Sequence, residues 1–481
     1  MLFNSIDFAI FLPVVFCLYW LLAKYSLRSQ NVLIVVASYI FYGYWDWRFL
    51  FLIFFSSIVD FSISHWLDSE NKAWKRKALL WSSIIVNLGI LGFFKYYNFF
   101  LDNFVAAFKF LGQDINPSSL NIILPVGISF YTFQTLSYTI DVYRGKLKST
   151  NDLIAFSAFV SFFPQLVAGP IERATHLLPQ FSIKRKFNYP IAADGMRQIV
   201  WGLFKKIVIA DNCAEYANYI FENSGSLNGV TLALGALFFT FQIYGDFSGY
   251  SDIAIGTARL FGFDLMRNFA FPYFSRDVAE FWRRWHISLS TWFRDYVYIP
   301  LGGSRGTSYA KIRNIFIIFI VSGFWHGANW TFIVWGALNA LYFLPLLIWN
   351  KNRVHTEIVA QGKLLPSMRE ILLIASTFGL TVLTWVFFRA DSLTHAFDYL
   401  LSILKNPGSF LLLSAYLKYK TILLLITFFF VIEWLGRERN HALEAFLLKQ
   451  KRILRHSFYY SLILIILWFG GQEQEFIYFQ F

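Results

Sequence analysis

The chain has 481 residues, of which 57% are hydrophobic and only 15% charged, against roughly 25% charged in an ordinary soluble domain; this excludes a soluble globular protein. Its net charge of +13 is divided among short clusters between apolar runs. No basic face interleaved with stacking aromatics is left over, which argues against a nucleic-acid partner.

Aromatic residues make up 21% of the chain, with 57 Phe, 26 Tyr and 17 Trp, a balance suited to interfacial belts and lipid-facing walls. Apolar runs near the length that crosses about 30 Å of hydrocarbon recur at Phe8 to Ala23, Ala78 to Phe94, Ile122 to Ile140, Leu153 to Gly169, Asn228 to Gly245, Ile371 to Phe388 and Ser457 to Gln472. The expected fold class is an all-α polytopic membrane protein, and membrane lipid is its solvent. No long Gly/Ser or Pro linker, low-complexity tract or internal repeat interrupts the chain, so residues 1–481 read as one membrane domain.

Basic residues cluster at Lys24 and Arg28, Lys72 to Lys77, Arg144 to Lys148, Lys184 to Lys186, Arg305 to Arg313, Lys351 to Arg369 and Arg437 to Arg455. Cation placement assigns such loops to the cytoplasm. One acid and no Lys or Arg precede Phe8, so the first run lacks the basic flank of a cleaved signal peptide and the N-terminus is expected outside. The segment Tyr42 to Trp47 then faces outward and Lys72 to Lys77 inward. Cys17 and Cys213 lie in or beside apolar helical stretches, which argues against a disulfide framework, a thiolate nucleophile or a Cys-based metal site.

From Lys95 to about Arg313 the pattern loosens. The segment Gln198 to Ala210 carries Lys205 and Lys206 inside an apolar frame, too charged to face lipid and too apolar for a loop. Tilted, interfacial or re-entrant helices around a cavity fit it, because a membrane tolerates such segments only where protein or internal water surrounds them. Three stretches here concentrate polar chemistry. In Gln165 to Arg173, Gly169-Pro170 stops an apolar run and delivers Glu172 and Arg173, or simply forms a capped loop. In Tyr244 to Gly256, Asp246 and Asp252 stand six residues apart without His or Glu at metal-ligand spacing, and helix capping is their expected role. In Phe281 to Tyr296, the residues Trp282, Trp285, Leu289, Trp292 and Phe293 recur at helical spacing. An amphipathic surface helix explains them, with Arg283, Arg284 and Arg294 at the headgroup side and His286 as the residue left to account for.

His326 is the first candidate for chemistry. From Asn314 to Asn350 there is no Asp, Glu, Lys or Arg, so a titratable imidazole stands where the chain otherwise reads as bilayer core. An ionisable group at such depth usually lines a cavity or internal polar site. A structural histidine bonded to a carbonyl is the alternative, and Gly323, Gly327 and Ala328 around it suit helix packing equally well. The uncharged stretch is long for one crossing and short for two with a loop: either a re-entrant turn at Gly323 to Gly327 reconciles Arg313 with Lys351, or one basic loop faces outward.

The motifs Gln165-x-x-x-Gly-Pro-Ile171, Tyr244-Gly-Asp-Phe-Ser-Gly-Tyr-Ser-Asp252, Phe281-Trp-Arg-Arg-Trp-His286, Tyr298-Ile-Pro-Leu-Gly-Gly303 and Gly323-Phe-Trp-His-Gly327, in this order, resemble the membrane-bound O-acyltransferase family. Within it they are similar to the bacterial branch typified by the alginate O-acetyltransferase membrane subunit. The resemblance extends to Trp385-Val-Phe-Phe-Arg-Ala390 and the ending Phe476 to Phe481. It implies a multi-helix bundle with a central funnel or tunnel, a multi-pass location in the cell inner membrane, and catalysis by His326 with His286 as the second polar position. It further implies an acyl thioester donor from the cytoplasm, either acetyl-CoA or a carrier-bound acyl group, no bound cofactor, and an extracytoplasmic partner protein that acetylates an exopolysaccharide. Related members serve peptidoglycan acetylation or teichoic acid D-alanylation.

The residues are compatible with that role. His326 lies thirteen residues after Arg313, about 20 Å along a helix at roughly 1.5 Å per residue, and so near mid-membrane if Arg313 marks the cytoplasmic interface. A neutral imidazole can take the proton of an acceptor hydroxyl that attacks a thioester, a step needing no metal. Asn329, three residues on, is a candidate to orient substrate or bind the oxyanion, with a helix-bending hydrogen bond as the plainer role. Arg283 and Arg284 are candidates to attract donor phosphates, or ordinary interfacial cations. A transporter or flippase is the rival from another class, although no inverted repeat is present, and a non-catalytic scaffold subunit would leave His326 without a purpose.

Overall fold

The computed structural model describes residues 1–115, 120, 122–406, 412–470, 474, 476 and 477, with side chains of the helix beginning at Leu412 described from residue 419 onward. The terminal residues 478–481 and the last two residues of the run Ser457 to Gln472 lie outside the described residues. Among the described residues all regular structure is helical, the form that satisfies each backbone group within its own segment in hydrocarbon. Six stretches, Leu27–Ser69, Ala73–Phe110, Gly229–Leu260, Trp330–Ile348, Met368–Arg389 and Tyr419–Gly436, are long and apolar enough to cross a membrane. The protein is a multi-pass, all-α membrane protein. Its chain forms two compact units, Met1–Ala192 with Ala258–Leu265, and Ala193–Thr257 with Met266–Phe481.

The first unit contains α1 (Ile6–Leu22), α2 (Leu27–Asp46), α3 (Leu50–Ser69), α4 (Ala73–Leu91), α5 (Tyr97–Phe110), α6 (Ile128–Tyr143) and α7 (Leu153–Ser161). Ser5 and Ser26 cap α1 and α2 by accepting from the amides of Phe8 and Ser29, as short polar side chains do at helix starts. The run expected at Ile122 to Ile140 becomes α6, an inner helix almost all of whose side chains are buried. Its Thr139 joins Ser83 and Asn87 of α4 in donating to the buried carboxylate of Asp60. The run Leu153 to Gly169 departs from expectation: α7 stops after nine residues, and the turns from Phe162 to Gly169 are buried throughout. Protein neighbours hold this non-helical segment: the Phe163 amide donates to Ser38 Oγ at 3.0 Å, and the side chain of Gln165 is tied through Nε2 to Gln134 Oε1 at 2.7 Å. Beyond Pro170, buried Glu172 contacts His176 Nδ1 at 2.8 Å, and His176 Nε2 lies 3.3 Å from Asp264. Asp264 first, then Glu172, pushes the His176 imidazole up to about 10.

The second unit contains most of α8 (Tyr189–Leu203), then α9 (Asp211–Glu222), nearly all of α10 (Gly229–Leu260), the short α11 (Val278–Arg284) and α12 (Ile287–Phe293), α13 (Ser308–His326), α14 (Trp330–Ile348), α15 (Met368–Arg389), α16 (Leu393–Lys405), α17 (Leu412–Gly436) and α18 (Arg452–Phe469). A π-helical segment, Phe204–Ala210, joins α8 to α9, and its wider turn buries both Lys205 and Lys206. Asp246 and Asp252 correct the capping expectation. They lie inside the 32-residue α10, where Lys206 Nζ is 2.7 Å from Asp246 and 2.7 Å from Asp211, and Lys205 Nζ is 2.8 Å from Asp252 and 3.3 Å from Glu433. Gly245 and Gly249 allow close approach: an added Cβ would stand 2.8 Å from the carbonyl of Lys205 and 2.8 Å from that of Gly202, respectively.

The uncharged stretch folds as a helical hairpin. α13 and α14 have 19 residues each, about 28 Å apiece at 1.5 Å per residue, and the turn between them is Gly327 to Asn329. Arg313 and Lys351 therefore lie toward the same open end, and the reversal falls just beyond the Gly323 to Gly327 segment. Gly323 and Gly336 let the two backbones meet, since a Cβ on either would collide with a carbonyl of the facing helix, that of Phe332 or Phe319; small residues serve this purpose between membrane helices.

Candidate active site

His326 is the last residue of α13 and is buried at 6% exposure. Its imidazole is walled by aromatic rings, with centroids 5.0 Å from Trp325, 5.4 Å from Trp335 of α14 and 5.3 Å from Phe388 of α15. Trp335 stacks on Trp385 at 5.6 Å, and Trp385 packs against Trp285 at 5.1 Å. The C-terminal turn of α13, the first turns of α14 and the end of α15 thus build one chamber in the second unit.

His286 enters the same wall from the turn between α11 and α12. The expected continuous amphipathic helix is broken there, because His286 has φ of 43° in the left-handed region, which a residue with a Cβ adopts only when its surroundings enforce it. Trp285, Leu289, Trp292 and Phe293 are buried in protein, so these helices are not a lipid-facing surface. Trp325 touches both imidazoles, 6.3 Å from His286 and 5.0 Å from His326 between centroids. The structure therefore brings the two predicted histidines against one shared indole.

Asn268 sets the state of His286. Its Nδ2 donates to Ser251 Oγ at 3.0 Å, and its Oδ1 accepts from Ser288 Oγ at 2.9 Å and from the Ser288 amide at 3.3 Å. That oxygen lies 3.1 Å from His286 Nδ1, so Nδ1 carries the proton and Nε2 the lone pair. The amide of Ile287 also donates to the Asn268 carbonyl at 2.9 Å, fixing the strained turn. Burial pushes the His286 imidazole, outside the spanning helices, down to about 3, so it is neutral at physiological pH. Asn268 and Ser251 also line a narrow polar cavity shared with Lys205, Asp252, Arg267 and Glu433.

The remaining predicted residues are engaged elsewhere. Asn329 caps α14 by accepting from the Thr331 amide at 3.0 Å, and its Nδ2 donates to the Asp391 carbonyl at 3.0 Å; the helix does not continue from His326 to bring it onto the same face. Arg283 donates to the carbonyls of Asn352 and His355 at 2.8 and 2.6 Å. Arg284 pairs with Glu280 at 2.9 Å and reaches the carbonyl of Glu357. Among the described residues no group of three or more His, Cys, Asp or Glu side chains could hold a metal ion. Sequence reasoning missed Asn268, eighteen residues before His286 in a loop with no motif of its own, and the aromatic chamber, whose members come from three separate helices and the turn after α11.

A membrane-bound O-acyltransferase family model matches residues 147–382, a span containing Asn268, His286 and His326. The chain is 41% identical to the probable alginate O-acetylase AlgI of Pseudomonas aeruginosa, over 82% of this chain and 73% of that protein. It is 37% identical to the peptidoglycan O-acetyltransferase of Helicobacter pylori, over 82% and 78%, and 28% identical to the teichoic acid D-alanyltransferase of Bacillus subtilis, over 57% and 71%. With this coverage joined to the two-histidine chamber, the chain belongs to the membrane-bound O-acyltransferase family.

Proposed function

We propose that the protein moves an acetyl group from a cytoplasmic thioester, acetyl-CoA or a carrier-bound acyl group, toward an extracytoplasmic acceptor for O-acetylation of an alginate-like exopolysaccharide. The observation that carries this reading is the pair of imidazoles packed against the one indole of Trp325. In the proposed reaction neutral His326 takes the proton of the acceptor hydroxyl as its oxygen bonds to the thioester carbonyl carbon. The adduct then breaks its carbon–sulfur bond, and the departing thiolate takes that proton, leaving an ester and a free thiol with no net proton exchanged. General-base assistance of this kind contributes typically about 10² to 10⁴ in rate. His286, oriented by Asn268, presents Nε2 to position the acceptor. Asn329, Arg283 and Arg284 are assigned support of the local backbone instead of substrate contact.

An extracytoplasmic partner protein would complete transfer to the glycan, and the cell inner membrane is the proposed location. The 37% identity to a peptidoglycan O-acetyltransferase favours a second reading with peptidoglycan as acceptor; the transporter and scaffold readings have no such support. Purified protein in vesicles should release free thiol from an acetyl thioester. A deletion strain should lose O-acetyl esters from a surface or secreted glycan, with His326 needed for rescue. Loss of esters from peptidoglycan alone would select the second reading, and unchanged glycans together with an unmodified lipid would remove both acceptors. Thiol reagents that do not cross the membrane should label a cysteine introduced at Gly43 and spare one at Ser69, with Cys17 and Cys213 replaced; the reverse pattern inverts the donor side.

A further inference from the structure

Away from the histidines, in the first unit, a groove of about 510 Å³ opens where α3 ends and α4 begins. This is within the range of small-ligand sites. Its lining includes Trp66, Ser69 and Glu70 from the end of α3, and Trp74, Lys75 and Leu79 from α4. The indoles are largely uncovered, with Trp66 57% and Trp74 68% exposed. Tryptophan at the end of a spanning helix lies at headgroup level.

The groove contains one acid and one base, loosely joined. Glu70 Oε1 accepts from the amides of Asn71 and Lys72 at 3.0 and 2.9 Å, while Oε2 stands 3.5 Å from Lys75 Nζ. Lys75 Nζ lies 5.8 Å from the Trp74 ring centroid. α4 starts at Ala73 with no side-chain cap, so its first amides, at the positive end of a 19-residue helix, add to the attraction of Lys75 for an anion. Below the groove, Ala78, Ser82 and Ile85 share one face of α4 by their spacing, and Ile85 is exposed. An apolar track therefore leads from the charged groups toward the bilayer interior.

We infer that this groove binds the headgroup of an aminophospholipid of the phosphatidylethanolamine class, drawn from the surrounding bilayer. The phosphate meets Lys75 and the first amides of α4, the ammonium meets the Glu70 carboxylate and the exposed indole of Trp66, and an acyl chain lies over Ala78 and Ile85. The flanking cations Lys72, Arg76 and Lys77 attract either phosphate alike, so the choice rests on Glu70: it gives the ammonium of the zwitterion a partner and sets a like charge beside a purely anionic headgroup. The inference is independent of the acyltransfer reading, because none of these residues belongs to the histidine chamber.

Native mass spectrometry of detergent-purified protein titrated with phosphatidylethanolamine or phosphatidylglycerol in mixed micelles tests it. Phosphatidylethanolamine should bind at least about fivefold more tightly and raise the melting temperature more. Glu70→Gln with Lys75→Met should abolish that preference, Trp66→Ala should weaken binding severalfold, and Lys24→Ala with Arg28→Ala, at another basic cluster, should change neither. Equal or stronger phosphatidylglycerol binding by the parent would overturn the inference, as would a preference that survives the Glu70/Lys75 double change. The parent's own melting shifts decide the matter even where a variant is poorly expressed.

Discussion

The second unit buries polar groups in two ways. In the layer between the π-helical segment and α10, every charge meets an opposite one: Lys205 faces Asp252 and Glu433, and Lys206 faces Asp246 and Asp211. Glu433 is further bonded by Trp201 Nε1 at 2.8 Å and Tyr244 OH at 2.6 Å. In the histidine chamber the polar groups are imidazoles set among indoles and phenyl rings. A paired lysine has its proton held by two carboxylates and cannot readily exchange it, whereas a neutral ring nitrogen can accept one. Burial alone therefore does not mark a candidate site; the distinction is whether the fold leaves the buried group locked in an ion pair or as a neutral ring.

The largest expected effect is on the chamber. His326→Gln keeps hydrogen bonding but removes the base, and turnover should fall by about 10² to 10⁴ with thermal melting close to the parent. Near-parent turnover would take His326 out of the reaction, and loss of folded protein would make it a structural residue like the lysines. The mirror experiment is Lys206→Met, which leaves Asp246 and Asp211 buried without their cation. It should destabilise by about 3 to 5 kcal/mol, the usual consequence of stripping a buried ion pair of one partner, measured by melting in detergent. A melting temperature within a degree of the parent would show that water reaches these carboxylates.

Gly323→Ala probes the wall between the two regimes, because a Cβ there collides with the Phe332 carbonyl. A loss of about 1 to 3 kcal/mol is expected from overpacking, with turnover falling further than stability as the hairpin tip carrying His326 shifts. Parallel changes in the two would mean that hairpin spacing does not set the position of the imidazole. Asn268→Ala should be milder, lowering turnover by on the order of tenfold, about 1.4 kcal/mol of barrier, through loss of the His286 tautomer and turn. Asn268→Asp, which retains the acceptor oxygen, should recover part of it; equal loss in both would point to packing.

The smallest effect belongs to the first unit. His176 has its folded value raised to about 10 by Asp264 and Glu172, so its contribution is fully present below about pH 6.5. That contribution declines as pH rises and is gone above about 10. The melting difference between the parent and His176→Gln should follow this course and stay on the order of 1 kcal/mol, since Asp264 is solvent-exposed and screened. A difference that grows with pH would reverse the sign and the assignment.

The membrane class and the helical fold could be read from the chain, and both histidines stood out there as candidates, because hydrophobic length and the rarity of ionisable groups in apolar stretches are properties of local sequence. Lys205 and Lys206 likewise declared themselves as interior charges by standing in an apolar frame. Their partners did not: Lys206 meets Asp246 forty residues away and Lys205 meets Glu433 from α17, pairings that no local pattern encodes. Gly245 and Gly249 serve close helix packing, but glycine suits sharp turns as well, and only the neighbouring backbone decides which. The same holds for His286, whose left-handed backbone, neutral tautomer and proximity to Trp325 depend on Asn268 and on a hairpin tip brought to it by folding. Residue type was set by the sequence alone; the protonation state, partner and orientation that make an imidazole useful came from tertiary contacts, because electrostatics and packing act through space and not along the chain.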